Sequence, residues 1–220
     1  MGFRVVCISR TTAAGGEDVG QAVAQGLGFR YVDEQIIRRA AQQAQVDPAL
    51  VAKTEHRQPL MQRLLEKLPR GAEVAGVVTA ATGVAIAVPS PAGPKADPAD
   101  LRVMIQAAIH EVAGAGQAVI VAHAASMALA KTAATLRVLR VLVTASAETR
   151  IRRVAEHERL IRAEAERRIT TSDRERQEYF QRFYNLPEEM ATHYDLVINT
   201  DVLTTAQAVA VVLAAAQAPA

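Results

Sequence analysis

The chain has 220 residues, 50% of them hydrophobic and 22% charged, with a formal net charge of +2. That length suits one α/β domain with a core of its own, and the near-balanced charge gives no global attraction to nucleic acid or to an anionic membrane. Cys7 is the single cysteine, which excludes an intrachain disulfide and fits a reducing, cytoplasmic setting. Val5 to Ile8 is too short for the apolar part of a secretory signal, and the Gly-interrupted window Ala75 to Val88 is too short for a membrane span.

Five apolar runs without polar alternation read as strands buried on both faces: Arg4 to Ser9, Arg30 to Asp33, Ala118 to His123, Val138 to Thr144 and Asp195 to Asn199. Helical patterns fall between and after them, over Glu17 to Leu27, Glu34 to Gln45, Leu101 to Ala115, Ala147 to Glu158 and Thr205 to Ala216. Strands alternating with helices predict a five-stranded parallel sheet covered on both sides, with ligand at the edge where the strands end. Two segments break the alternation. Residues 71–98 are Ala/Val/Gly-rich and then carry Pro89, Pro91, Pro94 and Pro98, the composition of an insertion or flexible flap. Residues 150–185 form a charged helical stretch with ten arginines.

The first strand leads into Arg10-Thr11-Thr12-Ala13-Ala14-Gly15-Gly16-Glu17-Asp18. A strand, a small-residue loop and a helix start make the layout of a phosphate-binding P-loop, in which backbone N–H groups and the positive end of the helix cradle the anion. The motif's lysine position is held by Gly16 and its Ser/Thr position by Asp18. K-G-T carries one positive charge and Gly16-Glu17-Asp18 two negative ones. At about 5 Å and an effective dielectric of about 20, each unit of that difference is worth roughly 3 kcal/mol. Two routes offset it: Arg10 at the loop entrance replaces the lysine, or Asp18 binds Mg²⁺ directly. The alternative is that Glu17 and Asp18 only stabilise the N-terminus of a helix.

Read together, several segments resemble the cytidylate kinase-like family of P-loop nucleoside monophosphate kinases. The family opening I-S-R-E-Y-G-S-G-G-R-E-I-A is similar to Ile8 through Gly20. The short strand ending in Asp and its helix resemble Tyr31 to Ile37, and the V-I-V-G-R-G-A strand resembles Val119 to Ala125. R-I-R-R matches Arg150 to Arg153, D-x-x-R-x-x-Y matches Asp173, Arg176 and Tyr179, and Y-D-L-V-I-N-T matches Tyr194 to Thr200. The departures are Thr11 and Thr12 for E-Y, Ala13 for the first glycine, Glu17 for a basic residue, and Ala122-His123 for Gly-Arg. The Arg-Asp pair that contacts cytosine in cytidylate kinases is missing at His123-Ala124, so cytosine specificity does not carry over.

The resemblance implies a single 1–220 domain with a P-loop NTPase-like three-layer fold, a five-stranded parallel sheet and an Arg-rich helical lid over 150–185. It implies ATP and Mg²⁺ as cofactors and a nucleoside monophosphate, CMP-like, as acceptor. Arg10 and Ala13, Ala14, Gly15, Gly16, Glu17 and Asp18 would hold the nucleotide, with Asp18 also on the metal. Arg153, Arg176 and Asp173 would act in catalysis; the alternative for any such arginine is a surface ion pair. Asp33, Arg39 and His123 are candidates for the acceptor, against helix capping for Asp33 and a structural role for His123. The alternative to an active kinase is a pseudokinase, an inert nucleotide-binding or protein-interaction regulator. A protein partner or a homo-oligomer stays open on this reading.

Overall fold

The computed structural model describes residues 2–33, 98–122 and 124–218. The expected helix over 34–45, the 71–98 segment apart from Pro98, and with them Arg39 and His123, lie outside the described residues. Strands β1 (Val5–Arg10), β2 (Arg30–Asp33), β3 (Ala118–Val121), β4 (Val138–Thr144) and β5 (Leu196–Asn199) form one parallel sheet in the order β2-β3-β1-β4-β5. Val5 lies opposite Ala118 on one side and Val138 on the other, so β1 is the central strand. That position explains its unbroken run of apolar residues: Val5, Val6, Cys7 and Ile8 are all fully buried.

Alternation along β1 feeds two cores. Val6 and Ile8 join Val19, Val23 and Ala24 of α1 (Gly16–Leu27) and Ala208, Val212 and Ala216 of α7 (Thr205–Gln217). Val5 and Cys7 face the opposite side, against Ala108, Ile109 and Val112 of α2 (Pro98–Ala115). The result is the three-layer arrangement expected from the sequence. Burial pushes the Cys7 thiol up to about 12, so it is a packed, inert group at neutral pH.

Helix α2 begins at Pro98 rather than Leu101, because proline is tolerated in a first turn that has no partners for its N–H groups. Two short helices after β3, α3 (Ala125–Ala128) and α4 (Ala133–Leu136), were beyond periodicity analysis, since four residues make barely one turn. The Arg-rich stretch resolves into two helices, α5 (Ala147–Glu158) and α6 (Arg162–Tyr184), whose shared core is Ile151, Val154, Ala165 and Ile169. Ser146 caps α5 by accepting from the Thr149 N–H at 3.3 Å. Asp201, just past β5, accepts from the Ser146 N–H at 2.9 Å and hydroxyl at 3.0 Å, fixing the root of α5 to the sheet. No helix among the described residues is long and apolar enough to cross a membrane.

Helix α1 lies so close to β3 that a Cβ at Gly20 would collide with the Val121 side chain. We expect Gly20→Ala to destabilise the fold by about 1 kcal/mol, because overpacking at about 1–3 kcal/mol outweighs the roughly 1 kcal/mol gained in helix propensity. A lowered urea midpoint at unchanged slope checks this; an unchanged or raised midpoint contradicts it.

Candidate active site

The chain leaves β1 at the carboxyl edge of the sheet, at the centre of the molecule. The crossover from β1 runs to β2 on one side, while β4 lies on the other. Such a switch point leaves a crevice beyond the strand ends, where α/β folds bind ligands. Within the loop the Ala14 N–H donates to the Thr11 carbonyl at 3.1 Å. Ala13 and Gly15 both have left-handed backbone, with φ of 63° and 81°. Gly15 is the N-cap of α1 and offers no side-chain cap to the first-turn N–H groups. Those amides and the helix dipole therefore face an anion-binding concavity.

Arg10 and Gly16 are packed together. A Cβ on residue 16 would stand 2.6 Å from the Arg10 Cβ, so only glycine fits beneath that side chain. The Arg10 guanidinium then reaches Glu17, Nη2 to Oε1 at 2.5 Å. From α5 comes a second cation. Arg153 donates from Nη1 to the Ala13 carbonyl at 3.2 Å and to Thr200 Oγ1 at 3.0 Å, and from Nη2 to the Thr200 carbonyl at 2.6 Å. Thr200 Oγ1 in turn donates to the Ala14 carbonyl at 2.9 Å. Arg10 and Arg153 together balance Glu17 and Asp18, two positive charges against two negative. The net charge at the loop is thus zero rather than −2.

A cleft of about 760 Å³ opens between the Thr12–Gly15 loop, Arg153 and His157 of α5, and Leu203–Thr205 at the start of α7. Glu17 and Asp18 also line it. The structure thus brings Arg10, Ala13, Ala14, Gly15, Gly16, Glu17, Asp18 and Arg153 to one place. Asp173 and Arg176 lie on α6 beside the loop, with partners inside the protein. Asp173 accepts both prongs of Arg150 at 2.7 Å each, which ties α6 to α5. Arg176 is buried, grips Glu189 at 2.7 and 2.6 Å, and donates to the Arg10 carbonyl at 2.8 Å. Burial works against its charge, but Glu189 and Tyr194 more than offset this and its pKa is raised.

Asp33 ends β2, half-buried and opposite Val121. Nearby, Tyr31 is pushed up to about 12, first by burial and then by the Asp33 and Glu17 carboxylates, with Arg10 opposing, so its phenol stays neutral. Among the described residues no group of three or more His, Cys, Asp or Glu side chains gathers as a metal site. Asp18 is instead an exposed carboxylate on the cleft wall, next to Glu17, which pairs with Arg10.

A sequence model described as the cytidylate kinase-like family matches residues 5–202. The chain belongs to the cytidylate kinase-like family. No curated protein matches it. Among solved structures, an uncharacterized protein from Eubacterium ventriosum shares 13% identity at a TM-score of 0.66, covering 98% of this chain and 99% of its own. Shikimate kinase from Bacteroides thetaiotaomicron shares 14% identity at a TM-score of 0.50, covering 94% of this chain and 95% of its own. At such identities the likeness is one of fold.

In this cytidylate kinase-like chain the cleft uses residues that motif reading did not single out. Thr200 closes the Y-D-L-V-I-N-T block, yet nothing in its type announces a bridge between Arg153 and the loop. Thr12 Oγ1 lies 2.6 Å from Ser172 Oγ on α6, a contact across 160 positions that no local pattern signals. Ala13, standing where the family pattern has glycine, holds a left-handed conformation that costs an L-residue about 1–2 kcal/mol. We expect Ala13→Gly to stabilise the protein by about 0.5–1 kcal/mol after the extra entropy of an unfolded glycine is subtracted. The melting temperature should rise by about 1–4 °C; a fall would show that the packing of Ala13 against the cluster of Ile151, Val154, Ala165 and Ile169 outweighs the strain.

Proposed function

We propose that this protein is a nucleotide kinase-like phosphotransferase that binds ATP in the cleft at the Ala13–Asp18 loop and passes its γ-phosphoryl group to a nucleoside monophosphate. The observation that carries this reading is Arg153, anchored to both the loop and Thr200 at the wall of the cleft. It supplies a fixed cation where the sequence lacks the P-loop lysine. Phosphoryl transfer needs positioning and charge stabilisation more than covalent chemistry, and a permanently charged, immobilised guanidinium provides both.

The first-turn amides of α1 would hold the β-phosphate, and Arg10, tethered by Glu17, would face the same anion. The acceptor, CMP-like, would lie toward Asp33 and Tyr31, on the side of β1 away from the Leu203–Thr205 wall. Magnesium, bound with the nucleotide, supplies neutralisation of the phosphate oxygens. Mg²⁺ takes one or two carboxylates plus substrate phosphates, so Asp18 on the cleft wall fits that donor set. Removal of Asp18 as Asp18→Asn should weaken the Mg²⁺ dependence of nucleotide binding.

A second reading, the pseudokinase, is favoured by one observation: the donors of Arg150 and Arg176 that the resemblance assigns to the lid are committed to Asp173, Glu189 and backbone carbonyls. One experiment separates the readings. ATP–Mg²⁺ at about a hundred times its Kd should stabilise the fold by about 2.7 kcal/mol, a rise in melting temperature of about 5–10 °C. Arg153→Met should lose most of that rise while remaining folded. Product formation from CMP or another monophosphate identifies the kinase, and binding without product identifies the pseudokinase. No shift at millimolar nucleotide removes both.

A further inference from the structure

Arg176 already holds an anion. Its Nε donates to Glu189 Oε2 at 2.7 Å and its Nη2 to Oε1 at 2.6 Å, a two-pronged grip. The Tyr194 hydroxyl donates to the same Oε1. Burial, followed by the Glu189 carboxylate, raises the Tyr194 pKa, so the phenol keeps its proton and remains a donor. A guanidinium fork and a phenol O–H converging on one anion make a donor set suited equally to a phosphate monoester.

Three features make the carboxylate exchangeable. It is the outer partner, with 17% of its side chain exposed against 7% for Arg176. It sits in the irregular stretch between α6 and the 3₁₀ turn Ala191–His193, whereas Arg176 is fixed within α6. Replacing one anion by another also never leaves the buried guanidinium uncompensated, which is the costly event for an enclosed charge. The third Arg176 contact, Nη1 to the Arg10 carbonyl at 2.8 Å, places this group against the residue where the phosphate loop leaves β1.

We propose that Glu189 is an internal competitor for phosphate: it occupies the Arg176–Tyr194 anion site in the resting protein, and the phosphate of the acceptor nucleotide displaces it. The inference rests on the nucleotide kinase-like reading given above and adds to it a self-inhibiting carboxylate. A site filled by its own side chain binds ligand more weakly in proportion to the fraction of time it stands open. Neutralising Glu189 therefore strengthens phosphate binding rather than weakening it, the opposite of what loss of a purely structural ion pair does.

The test follows the Arg176 Nε–H signal of the full chain by ¹⁵N NMR, assigned with Arg176→Lys, during titration with inorganic phosphate and with CMP, no ATP present. Both ligands should move the signal, CMP at lower concentration, and Glu189→Gln should bind each about tenfold more tightly. Equal affinities for CMP and inorganic phosphate overturn the acceptor assignment. A Glu189→Gln protein that is less stable yet binds phosphate no better overturns the competitor role. Should that variant not fold, the wild-type titration decides alone: an unmoved Arg176 signal overturns the proposal. Because ATP is absent throughout, failure here is separate from failure of the ATP-dependent thermal shift.

Discussion

The site depends on how two carboxylates are tolerated at the N-terminus of α1. Glu17 and Asp18 stand in the first turn, where a helix dipole favours negative side chains but a bound polyphosphate does not. Their charge is met by two arginines that arrive from different directions. Arg10 comes along β1 and lies over Gly16; Arg153 comes from α5 and reaches the Ala13 carbonyl. Gly16 thus has a reason beyond backbone freedom, since any side chain there would evict Arg10. The missing lysine and the presence of glycine in its position are two sides of one arrangement.

That arrangement makes the loop and the α5–α6 pair one mechanical unit. Thr12 meets Ser172, Arg153 meets Ala13 and Thr200, and Arg176 meets the Arg10 carbonyl. Arg150 and Asp173 then hold the two helices to each other, and Asp201 holds the start of α5 to the end of β5. Shifting α6 therefore pulls on the backbone at residue 10 and on the side chain at residue 12 together. Communication between the α5–α6 pair and the loop runs through these named hydrogen bonds.

The sheet was legible because burial on both faces leaves a plain mark: each of the five expected strands forms, with ends displaced by no more than a few residues. The family membership was legible from ordered blocks rather than from any one motif. What the sequence did not show is pairing. Arg150 and Arg153 look alike in a run of arginines, yet one is spent on Asp173 and the Ala145 carbonyl while the other lines the cleft. Three residues apart on one helix, they differ by contacts to residues far along the chain, and such contacts leave no local periodicity. Glu189 is a sharper case, one of two adjacent glutamates in an irregular stretch, told apart only by the fold around Arg176 and Tyr194.

The same contrast bears on how charge is used across the molecule. Exposed pairs such as Arg162–Glu148 and Arg174–Glu178 sit in solvent on α5 and α6, where screening leaves them little influence on stability. The pairs that shape the site are those with one enclosed arginine: Arg150, Arg176 and, half-buried, Arg153. Enclosure makes each of them intolerant of losing its partner, so their anions or carbonyls must be present or be replaced in kind. A phosphate entering this edge of the sheet can take the place of a carboxylate far more easily than that of a backbone carbonyl. Arg150 and Arg176 each hold one carboxylate and one fixed carbonyl, but Asp173 is set within α6 whereas Glu189 comes from irregular chain, so Arg176 is the one whose carboxylate partner can move away while the arginine stays in place.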